Sequence, residues 1–185
     1  YFVMEYVEGK PITVFCRENK LTIRQRIELF RQVCSTVQYA HQNLVIHRDL
    51  KPRNILVSAD GGPKLLDFGI AKLLQPDPDQ PSERTSTSMR IMTPEYASPE
   101  QVRGEPVTTV TDVYLLGVVL YELLTGHRPY QVQSILDVVE KLQSEEPEKP
   151  STAITRVDSA ELRRSAGAGR TPQSVSMTRE GHPEK

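Results

Sequence analysis

Between His47 and Asn54 the chain sets a carboxylate, an ammonium and a carboxamide close together, in His47-Arg48-Asp49-Leu50-Lys51-Pro52-Arg53-Asn54. A carboxylate such as Asp49 can orient and deprotonate a hydroxyl. The Lys51 ammonium can face a phosphate, and the Asn54 carbonyl is a hard oxygen donor suited to magnesium. Phosphoryl transfer from ATP asks for these parts, because it depends on positioning and charge stabilisation more than on covalent help. Asp67-Phe68-Gly69 follows downstream and supplies a second carboxylate.

A loop of this kind needs rigid neighbours. Upstream, Ile23, Ile27, Phe30, Cys34, Val37 and His41 recur at steps of three and four, which predicts a helix with one buried stripe, capped at Leu21-Thr22. Ile12 to Asn19 reads as a shorter helix, and Tyr1 to Glu5 as a strand ending at the turn Glu8-Gly9-Lys10-Pro11. Val45-Ile46, Ile55-Leu56-Val57 and Lys64-Leu65-Leu66 read as short strands, the last two joined by the hairpin turn Asp60-Gly61-Gly62-Pro63. Gln75 to Ser88, rich in Pro, Ser, Thr, Asp and Gln, reads as a loop. Thr111 to Leu124 is apolar almost all round, as in a central helix, and Gly126 should end it. Ser134 to Gln143 is amphipathic, and beyond Glu145 the polar chain predicts an irregular insertion or tail.

The chain has 185 residues, enough for one domain with a core, and a formal charge of −1. That balance gives no electrostatic case for nucleic acid or an anionic membrane as the main partner. Cys16 and Cys34 are the only cysteines and read as reduced packing residues of an intracellular protein. The longest apolar run, Val113 to Tyr121, is too short to span a membrane. No signal peptide is visible, and a start inside a strand without Met is expected of a fragment.

The loop matches the H-R-D-L-x-x-x-N motif of protein kinases, and Lys51 is placed as in their serine/threonine branch. The resemblance implies Asp49 as catalytic base, Lys51 as the γ-phosphate contact and Asn54 as a magnesium ligand. It also implies Arg48 as the receiver of an activation-loop phosphate and His47 as a structural spine member. Asp67 resembles the magnesium-binding Asp, with Phe68 as its packing residue and Gly69 as a hinge. Thr93-Pro94-Glu95-Tyr96-Ala97-Ser98-Pro99-Glu100 resembles the substrate-side loop ending in A-P-E, in which Thr93 bonds the catalytic Asp and Lys. Asp112 resembles the aspartate that anchors the catalytic-loop backbone; an Asp at a helix start can also be a plain N-cap. Tyr1 to Gly9 resembles the last N-lobe strand and hinge, with Met4 as gatekeeper and the backbone of Glu5 and Val7 facing adenine.

Three positions depart from the family pattern: Met92 stands where Gly is usual, Ser98 where the A-P-E motif has Ala, and Leu115 where Ser is common. The resemblance covers Tyr1 to about Gln143, without a glycine-rich loop, its lysine or the later C-terminal helices. The expected fold is therefore α+β and protein-kinase-like: a mainly α-helical C-terminal lobe with short β-hairpins, the N-lobe absent. The expected domains are residues 1–144, a partial kinase domain, and 145–185, the insertion or tail. The implied activity is transfer of the ATP γ-phosphate to protein Ser/Thr hydroxyls with Mg²⁺, the piece alone being inactive or nearly so. Autophosphorylation at Thr85, Ser86, Thr87 or Ser88, a cytoplasmic location and a homodimer of the longer protein are further expectations, as is a membrane anchor outside this stretch. A pseudokinase or scaffold is the competing class; a small-molecule phosphotransferase fits less well because those lack the A-P-E segment. The hinge phrase, Tyr96-Ala97-Ser98-Pro99-Glu100-Gln101 and the tail around Ser174 to Gly181 resemble bacterial kinases.

Overall fold

The structure, a computed structural model, describes residues 5–68, 93–132 and 134–155. The chain forms two compact units, Tyr1–Pro150 and Ser151–Lys185. In the second, the described residues 151–155 are helical, where polar composition predicts irregular chain, and Thr155 Oγ1 donates to the Ser151 carbonyl at 2.9 Å.

The first unit opens with residues 5–9 in irregular conformation, so Glu5 is not in a strand. Then come β1 (Lys10–Pro11), α1 (Ile12–Glu18) and α2 (Ile23–Gln42). Thr22 caps α2 with a reciprocal box: its backbone N–H donates to Gln25 Oε1 at 2.8 Å, and Gln25 N–H donates to Thr22 Oγ1 at 3.3 Å. The buried face of α2 is Leu29, Phe30, Val33, Val37 and Ala40. Phe30 and Val37 of the expected stripe are on it and Cys34 and His41 flank it, but Ile23 and Ile27 are about half exposed, at 50% and 48%. The face turns inward only from Leu29 on, at the end of the second turn.

Residues 45–50 run without strand pairing, so Val45-Ile46 is no strand. A 3-10 turn, Pro52–Asn54, leads into β2 (Ile55–Val57), which pairs antiparallel with β1 and with β3 (Pro63–Leu65) in the order β1-β2-β3. The β2–β3 hairpin turns at Gly61, whose φ of 86° is easy only for glycine. Gly9 is needed for another reason: a Cβ there would sit 2.9 Å from the Val57 carbonyl oxygen.

After a 3-10 turn at Pro94–Tyr96 come α3 (Pro99–Arg103), α4 (Thr109–Thr125) and α5 (Ile135–Ser144). Gly126 closes α4 in the left-handed conformation, φ 76°. The helix is not buried all round: Val110 and Val113 are exposed. Its inner face, Val119 and Leu123, meets Ile12, Cys16, Leu29, Phe30, Val33, Ile55 and Val57 in the main core. Burying each such aliphatic side chain contributes about 1.5–3 kcal/mol, so this cluster dominates the scaffold. Cys16 and Cys34 are free thiols whose pKa burial pushes up, which keeps them protonated and inert. Leu115 fills a second cluster with Val37 and Leu50, the latter in the loop from His47 to Asn54.

Candidate active site

The loop between α2 and β2 is held from below by one carboxylate. Asp112 is fully buried, in the first turn of α4, and is not the helix cap; Thr108 is. Its Oδ2 accepts from His47 N–H at 2.8 Å, and its Oδ1 from Arg48 N–H at 2.8 Å. The His41 ring Nε2 lies 2.7 Å from Oδ2, a third contact. A carboxylate with three donors can be buried without the usual cost of an unpaired charge. This anchor also holds Arg48 at φ 68°, a left-handed geometry that costs a non-glycine residue roughly 1–2 kcal/mol. Gln101 in α3 grips the same residue from the other side: its Nε2 donates to the Arg48 carbonyl at 2.7 Å, and its Oε1 accepts from Ser98 N–H at 3.1 Å.

Above this anchor three polar side chains converge on Asp49. Asn54 Nδ2 donates to the Asp49 carbonyl at 2.8 Å and to its Oδ2 at 2.9 Å. Lys51 Nζ lies 2.9 Å from the same Oδ2 and donates to Thr93 Oγ1 at 3.2 Å. Thr93 thus reaches Asp49 through the ammonium. Asp49 Oδ1 has no protein donor among the described residues, whereas Oδ2 has two. Both side-chain contacts of Asn54 use Nδ2, which leaves its Oδ1 as an acceptor.

The Leu66 amide donates to the main-chain carbonyl of Asn54 at 2.8 Å, which fixes the entry to Asp67 beside the loop. Asp67 is exposed and sits at φ 53°, a second left-handed non-glycine residue. Phe68 packs on the His47 ring, centroids 4.6 Å apart and tilted by 34°. His47 is almost wholly buried; desolvation pushes its pKa down, only partly opposed by the Asp112 and Asp49 charges, so the ring is neutral.

The oxygen donors Asn54 and Asp67 fit a hard divalent cation. No cluster of three or more His, Cys, Asp or Glu that could hold a metal occurs among the described residues. Glu5 is exposed and Val7 half-buried, and no hydrogen bond among the described residues joins either to this cluster. Met4, Gly69, Thr85, Ser86, Thr87, Ser88 and Met92 lie outside the described residues. The Arg48 role as phosphate receiver concerns that same stretch.

The substrate-side segment is braced from below. Glu100 accepts from the Thr111 hydroxyl; burial pushes its carboxyl up, but this bond, its own backbone N–H and Ser98 outweigh that and leave it below its ordinary value. Tyr96 donates its hydroxyl to Glu122 Oε2. Arg128 bridges Glu95 at 2.7 Å and lies 5.9 Å from the Tyr96 ring centroid. Sequence reasoning missed His41, Gln101 and this network. Only Gln101 left a readable trace: Ser98 three residues before Gln101 is a capping-box pattern.

A carboxylate, a lysine and an asparagine thus meet on one loop that is clamped to a central helix. The protein kinase domain family matches residues 1–165, and the chain belongs to it. It is 41% identical over 152 residues to serine/threonine-protein kinase PknB of Mycobacterium tuberculosis, covering 82% of this chain and 24% of that protein. It is also 41% identical over 156 residues to the probable serine/threonine-protein kinase CE0033 of Corynebacterium efficiens, covering 84% and 23%. A probable serine/threonine-protein kinase PknB of Corynebacterium glutamicum is 39% identical over 155 residues. The chain thus spans about a quarter of the length of these curated relatives. No helix of the described residues is long and apolar enough to cross a membrane.

Proposed function

We propose that this chain carries the catalytic half of a kinase that moves the ATP γ-phosphate to serine or threonine hydroxyls of proteins. The observation that supports it most is the convergence of Lys51, Asn54 and, through Lys51, Thr93 on Asp49. Asp49 Oδ1 accepts the hydroxyl proton and orients the oxygen for attack. Asn54 and Lys51 hold the carboxylate through Oδ2, so it presents one orientation. Lys51 also places a positive charge where the transferred group would gather negative charge. Thr93 fixes the ammonium and thereby the substrate side of the cleft.

Asn54 Oδ1 and the Asp67 carboxylate would hold magnesium, which with ATP supplies charge neutralisation across the phosphates. The backbone of Glu5 and Val7, with Met4, would line the adenine end. Autophosphorylation at Thr85, Ser86, Thr87 or Ser88 belongs to the same proposal, with Arg48 receiving the phosphate. Residues 5–155 contain no counterpart of the family's glycine-rich loop and strand lysine, so these 185 residues alone should transfer phosphate poorly. The test is transfer of labelled phosphate from ATP to a generic Ser/Thr substrate by the full reading frame containing this chain. Transfer that needs a divalent cation and Asp49 supports the function; ATP binding without transfer would instead favour a scaffold.

A further inference from the structure

Arg48, the residue before Asp49, is held on both sides of its main chain by different elements. Its N–H donates to Asp112 in α4 at 2.8 Å, and its carbonyl accepts from Gln101 Nε2 in α3 at 2.7 Å. It stands at φ 68°, a conformation that a non-glycine residue keeps only where its surroundings impose it. The Arg48 carbonyl belongs to the peptide plane whose other end is the Asp49 N–H. That N–H makes a long contact, 3.4 Å, with His47 Nδ1. The bond to Gln101 is therefore the firmer hold on the plane that leads into the carboxylate.

Gln101 uses the two halves of its amide differently. Its Oε1 accepts from Ser98 N–H at 3.1 Å, while the Gln101 N–H donates to Ser98 Oγ at 3.3 Å. This reciprocal pair is the capping box that opens α3, and Ser98 is fully buried. Capping explains the oxygen and not the nitrogen, because a box closes through oxygen and glutamate serves it as well as glutamine. The nitrogen goes to the catalytic loop, 53 positions away in sequence. Helix α3 is in turn tied to α4, since Glu100 accepts from the Thr111 hydroxyl. One side chain thus joins the end of the Thr93–Ser98 segment to the backbone that carries Asp49.

We propose that Gln101 is a positioning residue of the phosphotransfer reaction: by holding the Arg48 carbonyl it keeps the peptide before Asp49, and with it the carboxylate, in register with the segment that begins at Thr93. The inference rests on the phosphotransfer function above and adds a residue to it. Lys51 and Asn54 still hold Asp49 by Oδ2 when the Gln101 donor is lost, so the carboxylate is displaced rather than freed. A displacement of that kind slows the chemical step, which depends on the exact approach of base to hydroxyl. Gln101 touches neither the proposed magnesium ligands nor the adenine end, so ATP binding is left intact.

The test separates the two halves of the amide in the kinase translated from the full reading frame that contains this chain. Gln101→Glu keeps the oxygen that closes the capping box and replaces the donor by an acceptor facing the Arg48 carbonyl. Gln101→Met keeps the length and loses both halves. Steady-state phosphorylation of a generic Ser/Thr substrate, run well below each variant's melting temperature, gives kcat and the KM for ATP. A capping role alone predicts Gln101→Glu close to the parent and Gln101→Met the poorer of the two. The positioning role predicts the opposite order: kcat falls about tenfold or more for Gln101→Glu, at least as far as for Gln101→Met, with the KM for ATP within about twofold. Should Gln101→Glu fail to fold, Gln101→Met decides, and a fall of about tenfold or more in kcat at unchanged KM is expected of it. A smaller fall, a loss carried by the KM for ATP, or Gln101→Met slower than a folded Gln101→Glu overturns the inference and leaves phosphotransfer standing. Absence of transfer by the unsubstituted kinase overturns phosphotransfer, and the inference with it.

Discussion

Asp112 is the residue whose loss should cost the catalytic loop most. Replacing it by alanine leaves the buried amides of His47 and Arg48 without acceptors, and His41 without its partner. Orphaned buried donors cost about 1–3 kcal/mol each, and the half-buried His41 ring can turn toward water at little cost. Relaxing Arg48 from φ 68° returns roughly 1–2 kcal/mol of strain. The two amides less the relaxed strain leave an expected loss of about 1–4 kcal/mol, a sizeable share of the roughly 5–15 kcal/mol that holds a domain together. Asparagine keeps one acceptor oxygen but turns an N–H₂ group toward the second amide, so it should recover about half of that loss. Urea unfolding followed by circular dichroism gives the ranking, and hydrogen exchange at the two amides gives the location. Asp112→Ala with stability within about 0.5 kcal/mol of the parent, or with both amides still protected, would refute the anchor.

Three further outcomes are expected. The His47 pKa is depressed by burial, so the unfolded chain takes up a proton below its ordinary value of 6.5 before the folded one does. The stability tied to His47 is therefore full above pH 6.5 and falls as the pH drops below it, by at most about 1.4 kcal/mol per pH unit, and His47→Phe should flatten that limb of a denaturation series. Leu115→Ser, which restores the residue common in the family, should destabilise by about 2–5 kcal/mol, because it empties a site packed by Val37 and Leu50; calorimetry showing no loss would contradict that packing. Thr111→Val breaks the bond to Glu100 and the one from Thr108 N–H, and a drop of about 1–2 kcal/mol in urea unfolding is expected.

The parts of the fold governed by local rules were readable. Thr22, Gly126 and the Asp60-Gly61-Gly62-Pro63 turn each act within a few residues of their own position, and the structure places them where local chemistry requires. Periodicity located α2 but misplaced its face at the N-terminal end. Leu29, Val33 and Ala40 are buried while Ile23 and Ile27 are not, because burial there depends on where α4 crosses. Val45-Ile46 has strand-like residues, but no partner strand lies beside it among the described residues. At the site, Asp49, Lys51 and Asn54 were legible because they share one loop. The contacts of His41 with Asp112, Gln101 with Arg48 and Arg128 with Glu95 join residues distant in sequence or on different elements, and single-sequence spacing carries no trace of them.

The most direct test of the central claim is phosphate transfer from ATP by the full reading frame, with and without Asp49→Asn. Asparagine can still accept from Lys51 but cannot take the hydroxyl proton. Transfer should fall by about 10²–10⁴-fold with the fold and ATP binding retained. Transfer within about tenfold of the unsubstituted protein would contradict the assignment of Asp49 as the base, and with it the chemistry built on this loop.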